Sequence, residues 1–435
     1  MTNIATVEAN RLSARQALGA IRRGALNSVD LVQACLARIA EREGAIGAWC
    51  HLDREAALRQ AREADERQRS GAPLGPLHGL PIGIKDVLDT ADMPCEYGSP
   101  SLRGRRPQCD ADAVARLRAA GAIIIGKTVT SEFGMYAATS CRNPHDGERS
   151  AGVSSAGSAA AVADNMVPLA LGTQHTASTL LPASFCGAFG FKPSFGFTSM
   201  RGSNILVPRL ANVGFLARSV EDLVLFAAAF SPELEMTAPH PPQRLGFVRG
   251  PAWPYVTPDA AAALETLCRQ LPVAIEEVAL PAEFDSAERI TLGLLAAHMT
   301  DRFGGMPAET QRGYNNALRD LIAVGHEMDA ATYISFDRSA NELAVVADGL
   351  FGHVDALITL SAPGEATSAS EPGSGAFCMP WSLAGLPAVS LPLLRGSSGL
   401  PIGVQFVGRR GGDAGLLSIA AWLTDAVVAK VREPI

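Results

Sequence analysis

The chain has 435 residues and a mass of 45.4 kDa, with 47% hydrophobic and 19% charged residues. This composition supplies a large core and excludes an intrinsically disordered chain. The net charge of −7 and the pI near 5.7 argue against nucleic acid or an anionic membrane as a partner, because both favour basic surfaces. The length allows one large domain or two to three average ones.

Residues 1–72 are predicted to form helices. Apolar residues recur at helical spacing in two stretches, and Ser28, followed by Asp30, is the candidate N-cap of the second helix. Residues 53–69 are charged and rich in alanine, which is typical of a third, solvent-facing helix.

From residue 73 onward, short apolar runs alternate with helical stretches, which indicates strand–helix units around a buried sheet and an α/β fold. The predicted strands are residues 82–84, 122–125 and 167–171, and the predicted helices are residues 110–120, 157–165 and 219–230. Ser219 is the predicted N-cap of the last helix. Residues 232–245 are Pro-rich and predicted to be a linker, and strand–helix texture returns near residue 354.

The cysteine pattern and the N-terminus indicate a cellular compartment. The eight cysteines show no C-x-x-C spacing, and the first residues lack the apolar stretch of a secretory leader. No run of about 18 apolar residues is long enough to cross a bilayer. We therefore expect reduced, mostly buried thiols, a cytoplasmic protein and no membrane partner. The histidines are scattered without metal-ligand spacing, so we expect no metal.

Three elements with the chemistry of a hydrolase occur in order along the chain. Lys85 ends the apolar run LPIGIK, Ser154 and Ser155 lie in the tract GVSSAGSAAAVA, and Ser178 precedes LLPASFCG. A serine hydrolase requires an activated hydroxyl, a base for its proton, and donors for the oxyanion. Burial would lower the pKa of Lys85 from its usual value of ~10.4 towards the neutral form that a base needs.

This arrangement resembles the amidase signature family, whose catalytic unit is a Ser–cisSer–Lys triad. Further resembling segments are PLHGLPIGIKD, GAIIIGKTVTSEFG, NPHDGERSAGVSSAGSAAAVA, ASFCGAFGFKPSFG, LAGLPAVSLP and GLPIGVQFVG. The resemblance implies Ser178 as the nucleophile, Ser154 on a cis peptide bond as the proton relay and Lys85 as the base. Ser155 would support this network, and no cofactor is implied.

The resemblance also implies one large α/β domain over the whole chain, with a central mixed β-sheet flanked by helices. Its parts would be the N-terminal helical segment, a catalytic core over residues 73–230, and a C-terminal part of the core over residues 346–435. Residues 231–345 carry few motifs, and we expect substrate-specificity elements there.

The loop before Ser178 is the oxyanion hole that the resemblance implies, formed by backbone N–H groups of His175, Thr176, Ala177 and Ser178. The family pattern T-D-T-G-G-S reads TQHTAS here, so both glycines and the aspartate are replaced. In the serine tract, Val153 and one alanine likewise stand where the family has glycine. Side chains therefore surround the site where the family has bare backbone.

Three residues are predicted to contact the substrate: Leu180, Gln174 and Phe133. Leu180 stands where many members of the resembled family carry arginine. Leucine cannot pair with a substrate carboxylate as arginine can. The predicted substrate is therefore neutral and largely apolar.

The predicted activity is metal-independent cleavage of a small-molecule amide, and possible further substrates are esters and carbamates (urethanes). We expect a monomer or homodimer that uses no nucleic acid. Two alternatives stay open. A non-catalytic scaffold would give no Ser178 adduct with a fluorophosphonate, and a partner-dependent, amidotransferase-like subunit would hydrolyse glutamine and co-purify with other subunits. Leu180 argues against the latter, because glutamine carries a carboxylate.

Two other patterns suggest different chemistry. GAIIIGKT, from residue 121, matches the phosphate-loop pattern, but its middle residues read as a buried strand and do not indicate nucleotide binding. His175 suggests a Ser–His pair, but the chain has no G-x-S-x-G elbow and no evident acidic partner for the ring.

Overall fold

The computed structural model describes residues 6–236 and 238–432. The strands are β1 (Trp49–Leu52), β2 (Pro81–Lys85), β3 (Ile123–Thr128), β4 (Leu169–Gln174), β5 (Phe189–Lys192), β6 (Asn212–Ala217), β7 (Arg244–Phe247), β8 (Ala274–Glu277), β9 (Ala356–Leu360), β10 (Ala388–Arg395) and β11 (Pro401–Val407). Within the described residues they form one mixed sheet of eleven strands, in the order β1-β3-β2-β4-β6-β5-β10-β11-β9-β7-β8.

Helices cover the sheet. They are α1 (Ala14–Arg22), α2 (Ser28–Ile46), α3 (Arg54–Arg69), α4 (Asp112–Ala119), α5 (Ala156–Ala163), α6 (Leu180–Cys186), α7 (Val220–Ala228), α8 (Pro258–Gln270), α9 (Ala287–Phe303), α10 (Ala308–Arg312), α11 (Asn316–His326), α12 (Ala330–Asp348), α13 (Met379–Leu383) and α14 (Asp413–Arg432). The predicted α/β fold with a central mixed sheet is confirmed.

Three parallel strands near the β1 edge of the sheet carry or flank the candidate functional residues. Strands β3, β2 and β4 lie side by side and run parallel, and every residue in them is buried. Their near-continuous apolar runs fit a sheet whose two faces are both covered by helices. Because they are parallel, their carboxyl ends meet at one edge of the sheet, which is where ligands bind in open α/β sheets.

Most of the predicted elements are present, with corrections at the N-terminal segment. The helices of that segment are confirmed, but residues 49–52 add an edge strand, β1, antiparallel to β3. The N-cap of α2 is Asn27 and not Ser28, because Ser28 is already the first helical residue and donates its N–H to the carboxylate of Asp65. Ser219 is confirmed as the cap of α7, since its hydroxyl accepts the N–H of Asp222.

Residues 231–345 contain more than a linker and helices. Helices α8 to α12 are present, but β7 and β8 extend the sheet at its far edge by parallel pairing. These strands are short and lie outside the main apolar runs, so the sequence pattern did not indicate them. The phosphate-loop-like segment forms β3, as its apolar middle residues predicted.

Five of the eight cysteines are buried, and all eight are free thiols. Across residues 6–236 and 238–432, no helix combines the length and the hydrophobicity needed to span a bilayer.

Candidate active site

Lys85 is the last residue of β2 and is fully buried. Its Nζ lies 2.6 Å from Oγ of Ser154, 3.0 Å from Oγ of Ser155 and 2.9 Å from Oγ1 of Thr173. Thr173 lies in the neighbouring strand β4, so the parallel pairing of β2 and β4 brings this hydroxyl to the lysine. The lysine is thus enclosed by hydroxyl groups.

Burial determines the protonation of Lys85. Removing the ammonium group from water lowers the pKa of Lys85 well below its ordinary value. Its hydrogen-bond partners within the described residues are hydroxyl and carbonyl oxygens, and none of them carries a charge that would restore the ammonium form. The arrangement favours a neutral amine that can accept a proton.

The Ser/Gly/Ala tract packs tightly between the sheet and α6. A Cβ on Gly152, whose φ is +100°, would lie 2.7 Å from Cα of Pro182, and a Cβ on Gly157 would lie 2.5 Å from the backbone oxygen of Ala48, just before β1. Both glycines are therefore needed for close approach. This packing holds Ser154 and Ser155 at the start of α5, where they reach Lys85.

The peptide bonds of the described residues are all trans, including the bond before Ser154. The cis bond that the resemblance implied is therefore absent from this structure, and trans is the ordinary state for a non-proline residue. Val153, the residue before it, is fully buried in an apolar cluster that also contains Ala177 and Leu180.

Ser178 lies in the loop between β4 and α6, and only 5% of its surface is exposed. No hydrogen bond joins its hydroxyl to Ser154 or to another protein group of the described chain. Catalytic hydrogen bonds are often long in a ligand-free site and shorten in the complex with substrate. The residues that precede the predicted relay and nucleophile, Val153 and Ala177, pack in one apolar cluster, but no hydrogen bond joins the hydroxyls of Ser154 and Ser178.

Gln174 folds the loop before Ser178 through four hydrogen bonds. Its Oε1 accepts the N–H groups of Thr179 (2.9 Å) and Leu180 (3.1 Å), and its Nε2 donates to the carbonyl of Thr176 (3.1 Å) and to Oγ of Ser382 (3.0 Å). The amide has no donor or acceptor left for a substrate. We therefore revise the predicted substrate-binding role of Gln174, because its side chain is consumed inside the protein.

His175 is buried on the same loop, and its Nε2 accepts the N–H of Leu206 at 3.1 Å. Burial, with a smaller contribution from the positive charge of Lys85 when that lysine is protonated, lowers the pKa of His175 to about 3. The ring is neutral at physiological pH, and the nitrogen that would act as a base is already occupied. The geometry agrees with the expectation that His175 is not the base.

Phe133 has an unusual backbone conformation close to the site. Its φ is +53°, a region that a bulky residue rarely adopts, and such strain clusters at functional sites. Its ring lies 4.7 Å from that of Phe303 and 5.9 Å from that of Tyr314, measured between centroids. The carbonyl of Phe133 accepts from Nδ2 of Asn204 at 2.6 Å, and Oδ1 of Asn204 is buried without a partner in the described chain.

Two residues of the site were missed by the sequence reasoning. Thr173 supplies the third hydroxyl around Lys85, and Ser382, on α13, donates to the carbonyl of Thr176 at 2.7 Å. Thr173 could have been suspected from its place two residues after the predicted strand 167–171. Ser382 follows Gln174 by 208 positions, and no local pattern marks it. Among the described residues, no group of three or more His, Cys, Asp or Glu side chains converges to hold a metal.

Fold and site together define an α/β protein in which a fully buried lysine lies among three side-chain hydroxyl groups. The chain belongs to the amidase family, the amidase signature enzymes, whose family model matches residues 30–417. It is accordingly an amidase-family enzyme of the C–N hydrolase type.

Solved structures and curated relatives agree with this membership. A crystal structure of an amidase superposes with a TM-score of 0.88 at 28% identity and covers 95% of this chain and 99% of that one. The native peptide amidase of Stenotrophomonas maltophilia superposes with a TM-score of 0.82 at 26% identity, covering 96% and 97% of the two chains. A glutamyl-tRNA(Gln) amidotransferase subunit of Chloroflexus aggregans is 35% identical, over 95% of this chain and 96% of the relative.

The expectation that nucleic acid and further subunits play no part was wrong. Relatives that match this chain over nearly its whole length carry names that refer to glutamyl-tRNA(Gln) and to a subunit. The net charge of −7 is a sum over the whole chain, and it does not exclude a protein whose nucleic-acid contacts are made elsewhere in an assembly.

Proposed function

We propose that this chain hydrolyses the amide C–N bond of a neutral, largely apolar small molecule through an acyl-enzyme on Ser178. The observation that carries the proposal is the 2.6 Å contact between Nζ of the buried Lys85 and Oγ of Ser154. A desolvated lysine among hydroxyls is suited to act in its neutral form. Esters and carbamates are candidate substrates as well, because their tetrahedral intermediates need the same donors.

In this proposal a proton moves along three side chains. Oγ of Ser178 attacks the carbonyl carbon and gives its proton to Oγ of Ser154, which passes its own proton to the neutral Nζ of Lys85. When the C–N bond breaks, the proton passes from Nζ of Lys85 through Oγ of Ser154 to the leaving nitrogen. Water then attacks the acyl carbon and gives a proton to Ser154 and Lys85. The ester bond to Oγ of Ser178 breaks, Oγ takes that proton back, and the carboxylic acid leaves.

The surroundings support a neutral substrate. Leu180 is fully buried in an apolar cluster with Phe133 and Val153, and it offers no cation to a substrate carboxylate. The contacts of Phe133 with Phe303 and Tyr314 connect the site to the region where specificity elements were expected. We propose Leu180 and Phe133 as the substrate contacts, and Ser155 as the support of the Lys85 network.

A hydrolysis screen tests the proposal. Neutral anilides, aliphatic amides, carbamates and esters are offered to the wild-type chain and to Ser178→Ala. We expect turnover of at least one neutral amide, a fluorophosphonate adduct on Ser178 by mass spectrometry, and neither in the variant. Turnover without an adduct would contradict the acyl-enzyme, and the absence of both would favour a non-catalytic scaffold.

A second candidate function is that of a partner-dependent amidotransferase-like subunit. It is favoured by the 35% identity to the glutamyl-tRNA(Gln) amidotransferase subunit of Chloroflexus aggregans over 95% of this chain. The same nucleophile would then release ammonia from glutamine for a reaction completed by other subunits. The apolar side chain of Leu180 argues against it, because glutamine brings a carboxylate that needs a positive partner.

Ammonia release separates the two candidates. The purified chain is incubated with glutamine and, in parallel, with the best neutral amide of the screen. The hydrolase proposal predicts much higher kcat/KM for the neutral amide without any added protein. Preference for glutamine, together with subunits that co-purify and raise the rate, would establish the amidotransferase-like function instead.

A further inference from the structure

We propose that Gln174 and Ser382 are positioning residues that aim the backbone N–H groups of Ala177 and Ser178 at the reacting carbonyl. This inference rests on the proposed acyl-enzyme at Ser178. The two side chains hold the loop through hydrogen bonds, and we call the pair the Gln174–Ser382 clasp. Both residues are fully buried.

The clasp determines where the peptide group between Thr176 and Ala177 points, and a bond at the start of α6 orients the next one. The carbonyl of Thr176 accepts from Nε2 of Gln174 and from Oγ of Ser382 at 3.1 and 2.7 Å. In a trans peptide the N–H points opposite to the C=O, so the N–H of Ala177 faces away from the clasp. The carbonyl of Ala177 is held by the N–H of Leu181 at 3.0 Å, which directs the N–H of Ser178 in the same manner.

The clasp also binds some of the backbone N–H donors near Ser178 and leaves others without a protein acceptor. Oε1 of Gln174 occupies the N–H groups of Thr179 and Leu180, the first donors of α6. In the described chain, the N–H groups of Ala177 and Ser178 donate to no protein acceptor. Two adjacent free donors beside the nucleophile match what a tetrahedral oxyanion requires.

The clasp explains how the loop tolerates its unusual sequence. The resembled pattern has two glycines before the nucleophile, whereas this chain has Thr176 and Ala177. Glycines allow a loop to adopt its shape through backbone freedom, and side chains restrict that freedom. Here the side chains of Gln174 and the distant Ser382 fix the loop instead. They hydrogen-bond the carbonyl of Thr176 on one side of Ser178, and Gln174 also accepts the N–H groups just after Ser178.

The test compares variants that break the clasp in steps. Gln174→Met keeps the length of the side chain and removes all four hydrogen bonds, Gln174→Glu keeps only the acceptors, and Ser382→Ala removes one donor to Thr176. We measure kcat and KM on the best neutral amide, and the rate at which a fluorophosphonate inactivates Ser178. Ser390→Ala is the matched control, because it removes an equally buried hydroxyl that bonds to Ser361 at 2.7 Å, away from the loop.

We expect Gln174→Met to lower kcat and the inactivation rate together by about 10²-fold, while KM changes less than about threefold, since one misaimed donor costs ~10²–10³. The kcat and inactivation rate of Gln174→Glu and of Ser382→Ala should lie between those of Gln174→Met and of wild type. Both rates of Ser390→Ala should match wild type.

Wild-type kcat in both Gln174→Met and Ser382→Ala would overturn the inference. So would losses that Ser390→Ala reproduces, because these would reflect general destabilisation. If Ser178→Ala still hydrolyses the amide, the proposed function fails and the positioning role fails with it. If Ser178→Ala is inactive while Gln174→Met and Ser382→Ala both keep wild-type kcat, only the positioning role fails.

Discussion

Nζ of Lys85 lies 2.6 Å from Oγ of Ser154, and both residues are fully buried. A lysine in such a position is desolvated, and its pKa falls well below the ordinary value. Substituting Lys85 by Ala removes the proposed proton acceptor, and we expect kcat to fall by ~10²–10⁴ with little change in KM. Steady-state kinetics on a neutral amide checks this, with circular dichroism as the control for folding.

The same burial predicts how stability depends on pH. In the unfolded chain Lys85 has a pKa of ~10.4, and in the folded chain its pKa is well below that value. At any pH between these two pKa values, the unfolded state therefore binds more protons than the folded state. The free energy of unfolding therefore decreases as pH falls from about 10.4 towards the folded pKa. Lys85→Met lacks this penalty, so its stability relative to wild type should be greatest at the lower pH and decline towards pH ~10.4.

Urea unfolding of both proteins at pH 7, 8.5 and 10 measures that difference. Lys192, whose burial lowers its pKa to about 7, is present in both proteins and contributes equally. A difference in stability that does not change between pH 7 and 10 would show that Lys85 is charged in the folded protein.

His175 should be dispensable as a base. Its Nε2 accepts the N–H of Leu206, and its pKa of about 3 leaves the ring neutral down to acidic pH. We expect His175→Ala to lose less than about tenfold in kcat and to keep the pH–rate profile between pH 5 and 7.5. It should also lose about 1–3 kcal/mol of stability, because the buried N–H of Leu206 loses its acceptor. An inactive His175→Ala beside an active Lys85→Ala would contradict the assignment of the base.

The effects on kcat of substitutions at Gly375 and at Ala177 should depend on each other. A Cβ on Gly375 would lie 2.8 Å from Cβ of Ala177 and 3.1 Å from Cε2 of Tyr136, so Gly375→Ala must displace the loop before the nucleophile. A displacement of about 1 Å costs roughly 10² in rate. Adding Ala177→Gly removes the shorter contact and should restore most of kcat.

The control for that pair is Gly147→Ala, because a Cβ on Gly147 meets nothing within 4 Å. It should leave kcat unchanged. If the double variant Ala177→Gly/Gly375→Ala is no more active than Gly375→Ala alone, the contact with Ala177 is not the cause of the loss.

Lys127, in the phosphate-loop-like segment, should matter for stability and not for nucleotide binding. It is fully buried in β3, its Nζ lies 3.4 Å from the carboxylate of Asp86, and it donates to the carbonyl of Leu88 at 2.6 Å. Lys127→Met leaves the charge of Asp86 buried alone and should cost about 3–5 kcal/mol. Adding Asp86→Asn should recover part of this loss.

Thermal unfolding measures the stability loss in Lys127→Met and its partial recovery when Asp86→Asn is added. For the second part of the prediction, we expect ATP with magnesium to leave the Tm of the wild-type chain unchanged. A Tm that rises with ATP concentration would contradict the structural role of this segment.

The candidate site residues that the sequence predicted are weak signals one by one, and the order and family resemblance of their segments singled them out. Lys85 ends a short apolar run that becomes a buried strand, and Ser154 and Ser178 precede helices in segments whose glycine and apolar patterns are readable along the chain. Strands β2, β3 and β4 and the predicted helices follow from apolar runs and periodicity in the same way. The edge strands β1 and β8 were not predicted, because each is only four residues long and only partly buried.

The sequence by itself determined the α/β class and predicted the three chemical groups of the proposed site, because each lies in a segment whose residue types and spacing are readable along the chain. Only the tertiary structure decided what surrounds those groups. Thr173 reaches Lys85 because β4 pairs with β2, and Ser382 meets Gln174 because the chain returns to the loop after 208 positions. Contacts of this kind depend on strand order and helix packing across the whole molecule, and no local pattern encodes them.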